Sequence, residues 1–205
     1  MRIEERDMAA KRDPEDKIID AALKLAASRG WSGLSLADIA KSARVGLPVL
    51  SGFFASKSEI LAAFSRRIDA AVLKAASAED LSDEAARDRL FDVLMMRFDT
   101  LAPYKPALKR ISRDMQRDPV AAAGLVRAML QSLGWMLEAA GIDSSGLAGA
   151  MRVRGIALIW GAVFRTWLED GDDQARTMAE LDRRLRRGEA LLERLSRFGR
   201  REAAA

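Results

Sequence analysis

The sequence predicts an all-α protein, and three observations predict it. Only five prolines interrupt 205 residues, apolar side chains recur at spacings of three and four along most of the chain, and the good helix formers Ala, Leu, Arg and Met are plentiful. The expected architecture is an N-terminal domain of three to four helices containing a helix-turn-helix, followed by a larger helical domain.

Each element has its own signal. Residues 1–12 are charged without apolar period and read as a flexible arm. Pro14 suits a first helical turn, and Ile18, Ala21, Ala22, Leu25 and Ala26 share one face until Gly30 stops the helix. Ser35 precedes Leu36, Ile39, Ala40 and Ala43, with Asp38 placed for a weak capping box, so a short helix is expected over about 36–43. Arg44, Val45 and Gly46 break it. Leu47 to Phe54 supply two further turns with Pro48 near their start, and Ser56 caps a fourth helix carrying Ile60, Leu61, Phe64 and Ile68. Two short helices joined by a three-residue turn make a helix-turn-helix.

Beyond a polar joint at Ser77 to Ser82, helices are expected at 83–101, 104–116, 119–140, 147–169 and 174–198, with Pro103, Pro119, Gly141 and Gly171 as breakers between them. The organisation is therefore an arm (1–12), a helix-turn-helix domain (13–74), a second helical domain (75–198) and a tail (199–205).

Composition narrows the function. With no Cys and no His, there is no thiolate nucleophile, no disulfide and no imidazole base or metal ligand. Nothing assembles a nucleophile, a base and an oxyanion site, so neither an enzyme nor a bound metal or cofactor is expected. The net charge of +4 permits weak attraction to nucleic acid or anionic lipid. The charged N-terminus does not read as a secretory signal, and no uncharged run approaches the ~20 residues of a membrane span. A soluble, cytoplasmic protein is expected.

The stretch Leu34 to Leu61, LSLADIAKSARVGLPVLSGFFASKSEIL, resembles the N-terminal DNA-binding domain of the TetR family of bacterial regulators. Its most specific part is the aromatic pair Phe53 and Phe54 followed by Ala55, Ser56 and Lys57. The resemblance implies a transcriptional regulator that binds an operator in duplex DNA as a homodimer, with long C-terminal helices pairing and a variable helical domain enclosing a small ligand. On this reading Ser35, Lys41, Arg44, Leu47, Pro48, Val49, Ser51 and Lys57 are the DNA-binding candidates.

The second short helix departs from the pattern of a base reader. Val45 to Ser56 is the longest uncharged run in the chain, and within it no Arg, Lys, Asn or Gln is available to hydrogen-bond base edges. Arg44 stands where the family usually has a turn glycine, Gly46 where it has a capping Ser, Ser51 where it has a phosphate-binding Tyr, Gly52 at that residue's polar neighbour, and Ala37 at a frequent Arg. Pro48 and Val49 remain able to touch thymine methyls. On the plain alternative Ser35 and Ser56 are caps, Phe53 and Phe54 core, and Lys57 a solvated helix start.

Residues 90–114 and 165–189 are in turn similar to a branch of the TetR-like fold represented by the lipid-binding accessory protein of ubiquinone biosynthesis. This resemblance implies the alternative function, a lipid- or isoprenoid-binding accessory protein without specific DNA binding. Met95, Phe98, Met129, Met136, Trp160 and Phe164 are the candidates for a pocket that takes a small apolar ligand or lipid, because Met and aromatic side chains adapt to irregular cavities. An ordinary core accounts for any one of them equally well. In the last helix, Leu181, Leu185, Leu192 and Leu195 form an apolar seam flanked by Arg. Residues 181–201 hold eight Arg against Asp182, Glu189 and Glu193, a net of +5. Two readings follow: a helix paired in a dimer or against its own domain, or a peripheral membrane contact with arginines at anionic headgroups.

Overall fold

The computed structural model describes residues 14–78 and 84–202, and the side chains of 191–202 lie outside the description. The arm 1–12 and residues 203–205 of the expected tail are likewise outside it. Among the described residues the regular elements are all helical: α1 (Pro14–Arg29), α2 (Leu36–Ala43), α3 (Leu47–Phe53), α4 (Lys57–Ala76), α5 (Ala86–Leu101), a 3₁₀ turn (Ala102–Tyr104), α6 (Lys105–Met115), α7 (Pro119–Ala139), α8 (Gly146–Leu168) and α9 (Ala175–Glu202). The expected all-α class and the helix-turn-helix are both present. The last helix runs to Glu202, past the expected end at 198.

The punctuation works as its chemistry dictates. Gly30 and Gly141 adopt φ of +84° and +70°, the left-handed conformation in which a side chain is strained, and so end α1 and follow α7. Pro48 stands in the first turn of α3, where a missing N–H costs no hydrogen bond.

The chain divides into two compact units that do not follow chain order: residues 1–67 with 103–128, and 68–102 with 129–205. The sequence division at 74/75 treats each domain as one continuous segment. In the structure, α6 and the first part of α7 group instead with the helix-turn-helix.

In the first unit α1 packs on α2, α3 and α6, around Ile18, Ala22, Ala26, Trp31, Leu34, Ile39, Leu50, Phe54, Ile60 and Phe64, all buried. Arg67 reaches Asp20 at 2.9 Å and Asp16 at 3.2 Å and donates to the Tyr104 hydroxyl at 3.4 Å. The Tyr104 ring meets Phe64 edge to face, with centroids 4.9 Å apart. The polar contacts join α1, α4 and the 3₁₀ turn, so this small core is closed by aromatic and ionic contacts together.

In the second unit α9 packs on α8 and α5, burying Leu94, Phe98, Leu133, Met136, Trp160, Val163, Trp167, Leu181 and Leu185. Asp69 and Arg97 are also buried and form an ion pair, while the Ser132 hydroxyl donates to the same Asp69 oxygen at 2.7 Å. The Arg97 guanidinium lies 5.2 Å from the Trp160 ring centroid. By length and composition α7 and α8 are each long and apolar enough to cross a membrane. Both carry charge: Arg127 and Glu138 in α7, and Arg152, Arg154 and Arg165 in α8.

A candidate nucleic-acid interface on α2 and α3

The start of α2 is fixed by a complete capping box. The Ser35 hydroxyl accepts from the Asp38 N–H at 3.1 Å, and the Asp38 carboxylate accepts the Ser35 N–H at 3.0 Å and its hydroxyl at 2.5 Å. These bonds, the hydroxyl first and the backbone second, hold the Asp38 carboxyl below the usual carboxylate range. The box is stronger than the sequence suggested, since Asp replaces the longer Glu of the common motif and still reaches.

Arg44 ends α2 with φ +57° and ψ +40°, so the turn is made in left-handed geometry by a residue with a Cβ. Its N–H bonds the Lys41 carbonyl at 3.2 Å, and Val45 N–H bonds Ala40 at 3.1 Å. Gly46 then starts α3 without a side-chain cap. Lys41 and Arg44 are both exposed, placing two cations on the end of α2 and in the turn.

α3 has only Leu50 buried along its length. At about 100° per residue, Pro48 and Gly52 lie opposite Leu50, with Val49 on one flank and Leu47 and Ser51 on the other. Leu47 is 51% exposed, Val49 43% and Phe53 42%. The core reading holds for Phe54 and must be corrected for Phe53, which the short helix turns out of the core. The Ser51 hydroxyl donates to the Pro48 carbonyl at 3.0 Å, so its proton is engaged within the helix. An added Cβ at Gly52 would meet nothing within 4 Å, which leaves the outer face of α3 open at that point.

Lys57, a candidate phosphate ligand, is half-buried. Its ammonium donates to the carbonyls of Trp31 at 2.9 Å and Ser32 at 3.4 Å and lies 5.4 Å from the Trp31 ring centroid. Burial lowers its pKa against the opposing pull of Asp114 and Asp118. Two of its three protons therefore serve the loop before α2. The same loop is held from the other side by Asp114 of α6, which sequence reasoning missed: its carboxylate accepts the backbone N–H of Trp31 at 2.6 Å and of Ser32 at 2.9 Å. The start of α4 repeats the logic of α2, with Glu59 N–H donating to Ser56 and Ala55 N–H to Glu59.

The other candidates fall in the second unit. Phe98, Met136 and Trp160 are buried and Phe164 half-buried. The Phe98 and Trp160 rings stack at 4.5 Å, and Phe164 stacks on Trp160 at 5.9 Å, so these side chains fill one another's space. Met95 is half-buried, and Met129 is exposed. A shallow cleft of about 350 Å³ lies elsewhere, in the first unit, lined by Asp20, Leu23, Lys24, Tyr104, Pro106 and neighbours, and none of the six sequence candidates lines it. Leu181 and Leu185 are buried within the chain on a helix that packs on α8 and α5. They face their own domain, as one of the two expected readings allowed. The side chains of Leu192 and Leu195 lie outside the described residues.

The fold and the site define a class: a helical protein whose N-terminal unit carries a capped helix-turn-helix with an open second helix. Residues 18–64 match the family described as "Bacterial regulatory proteins, tetR family". Over 126 residues the chain is 28% identical to "Probable HTH-type transcriptional regulator YttP" of Bacillus subtilis (strain 168). That alignment covers 58% of this chain and 56% of the relative, so the match spans little more than half of the curated relative's length. The fold is similar to that of a TetR transcriptional regulator from Nitrosomonas europaea ATCC 19718, with a TM-score of 0.67 and 24% identity over 85% of this chain and 96% of that one. A TetR regulator from Rhodococcus sp. RHA1 gives a TM-score of 0.58 and 21% identity over 84% and 93%. Residues 18–64 are thus similar to the DNA-binding segment of TetR-family regulators, and the fold is similar to that of solved TetR regulators.

Proposed function

We propose that this chain is a DNA-binding transcriptional regulator that acts as a homodimer in the cytoplasm and responds to a small apolar ligand, without catalytic activity. The observation that carries the reading is the outer face of α3, exposed among the described residues and flanked by exposed Lys41 and Arg44. From Ser35 to Ser56 the single acid is Asp38, and its carboxylate is occupied by Ser35. Phosphates beside α2 therefore meet cations without an unpaired carboxylate to repel them.

Support for the homodimer comes from α8. Leu147, Met151, Gly155 and Leu158 recur at spacings of four, four and three, and all are exposed, Leu147 by 82% and Leu158 by 78%. A continuous apolar stripe of this kind on a helix is the pattern of an interface between chains, and Gly155 allows close approach. For the ligand, the support is the aromatic cluster of Phe98, Trp160 and Phe164 with Met95 and Met136 beside it in sequence or space, a group that can repack around an apolar guest.

Binding to duplex DNA flanking the protein's own gene, measured at two salt concentrations against an unrelated duplex of equal length, tests the reading. A regulator forms a complex with the flanking DNA that survives salt better than the unrelated one. Equal weak binding to both sinks it.

A further inference from the structure

We propose that α3 reads its operator through the 5-methyl groups of thymines in the major groove and not through hydrogen bonds to base edges. The inference rests on the DNA-binding reading above and names the chemistry by which that site selects a sequence. The exposed positions of α3 are Leu47, Pro48, Val49, Ser51, Gly52 and Phe53. Of these only Ser51 has a polar side chain, and its proton is engaged with the Pro48 carbonyl. No side chain of α3 can donate or accept the paired hydrogen bonds that distinguish guanine or adenine. The one feature of a major-groove edge that an aliphatic surface recognises is the methyl of thymine, or the equivalent methyl of 5-methylcytosine.

The geometry favours close contact. Pro48 and Gly52 lie opposite the buried Leu50, and the space beside Gly52 is open, so at Gly52 the helix backbone approaches the base edges without a side chain between them, beside the apolar ring of Pro48. Val49 and Leu47 then flank the point of approach. The occupant is duplex DNA, because Lys41 and Arg44 stand exposed at the end of α2 and in the turn, where a phosphate backbone meets them as α3 enters a groove. A protein partner recognising the same apolar face is an outcome of the test.

The probe is a duplex enriched by the full-length chain from a random 30-bp library, then synthesised in two forms, with thymine and with deoxyuridine. The two differ only in the methyls. Each methyl buried against α3 is worth about fourfold in affinity, the equivalent of roughly 0.8 kcal/mol, so replacing all thymines of a half-site is expected to weaken binding by at least tenfold. Val49→Ala is expected to weaken binding to the thymine duplex by a few-fold and to leave binding to the uracil duplex nearly unchanged, since the contact is already gone there. Val49 is 43% exposed, and an unchanged melting curve shows that the variant folds. Equal affinity for the two duplexes overturns thymine readout while leaving DNA binding in place. Failure to enrich any sequence overturns both the readout and the regulator reading, and points to a protein partner for this face.

Discussion

The Asp114 carboxylate accepts the Trp31 backbone N–H at 2.6 Å, 83 residues away in sequence, and so ties α6 to the loop from which α2 starts. A second bond from the Ser32 N–H completes the clamp. Two backbone donors hold the carboxylate in its charged form: the Ser32 bond first, then the Trp31 bond outweigh burial and lower its pKa. Asp114→Ala leaves the N–H of a buried Trp without its acceptor and is expected to destabilise the protein by about 1 to 2 kcal/mol. Asp114→Asn keeps the shape and loses the charge, so its deficit should be smaller.

The pH dependence has a definite sign. A carboxyl whose folded pKa is depressed stabilises fully above its unfolded value, about 3.9 for Asp, and the increment is lost as pH falls through the lower folded value. The melting difference between wild type and Asp114→Asn should therefore be constant near neutrality and shrink below about pH 4. A difference independent of pH down to pH 2 would show that the carboxylate charge is not what holds the loop.

The buried pair of Asp69 and Arg97 joins α4 to α5, and Ser132 brings in α7. Removing one partner strands a charge away from water, so Asp69→Leu and Arg97→Met are each expected to cost about 3 to 5 kcal/mol. The double variant should cost much less than their sum, since a paired charge needs its partner chiefly because it is buried. Urea unfolding of the three variants checks this, and additive losses would show the pair to be uncoupled.

Local signals made the helices legible, while partners distant in sequence stayed hidden. Pro119 and Gly141 bracket α7, and Pro14 and Gly30 bracket α1, because each acts on its own backbone. Asp114, Lys57 and Asp69 act across tens of residues, and no periodicity marks an acid that will meet a distant N–H. Phe53 looked like core from composition, but a seven-residue helix anchored by Leu50 has only one face to bury. The leucine seam of α9 was legible as an apolar stripe. Its partner was not, since a stripe with three-four spacing packs equally well on its own domain or on another chain. The sequence nonetheless exposed the feature that bears most on function, the uncharged stretch around α3.

The exposed stripe of α8 gives a test of assembly. Leu158→Glu places a charge in the middle of the exposed apolar stripe without touching the core of its own chain. Sedimentation at micromolar concentration should show wild type as a dimer and the variant shifted toward monomer, with circular dichroism unchanged. Equal sedimentation of the two proteins removes α8 from the interface.

Arg44 sets stability against function at one residue. It holds φ +57°, a conformation that costs a residue with a Cβ about 1 kcal/mol and glycine almost nothing. The same side chain is one of two exposed cations beside α3. Arg44→Gly is accordingly expected to raise stability by about 0.5 to 1 kcal/mol while weakening binding to any duplex. If Arg44 neutralises one phosphate, the slope of log affinity against log salt should fall by about 0.9 per bound chain. Arg44→Lys keeps the charge and the strain, so it should leave both the melting temperature and the slope close to wild type. A stabilised Arg44→Gly protein with an unchanged slope would mean that the strain is kept for a reason other than phosphate contact.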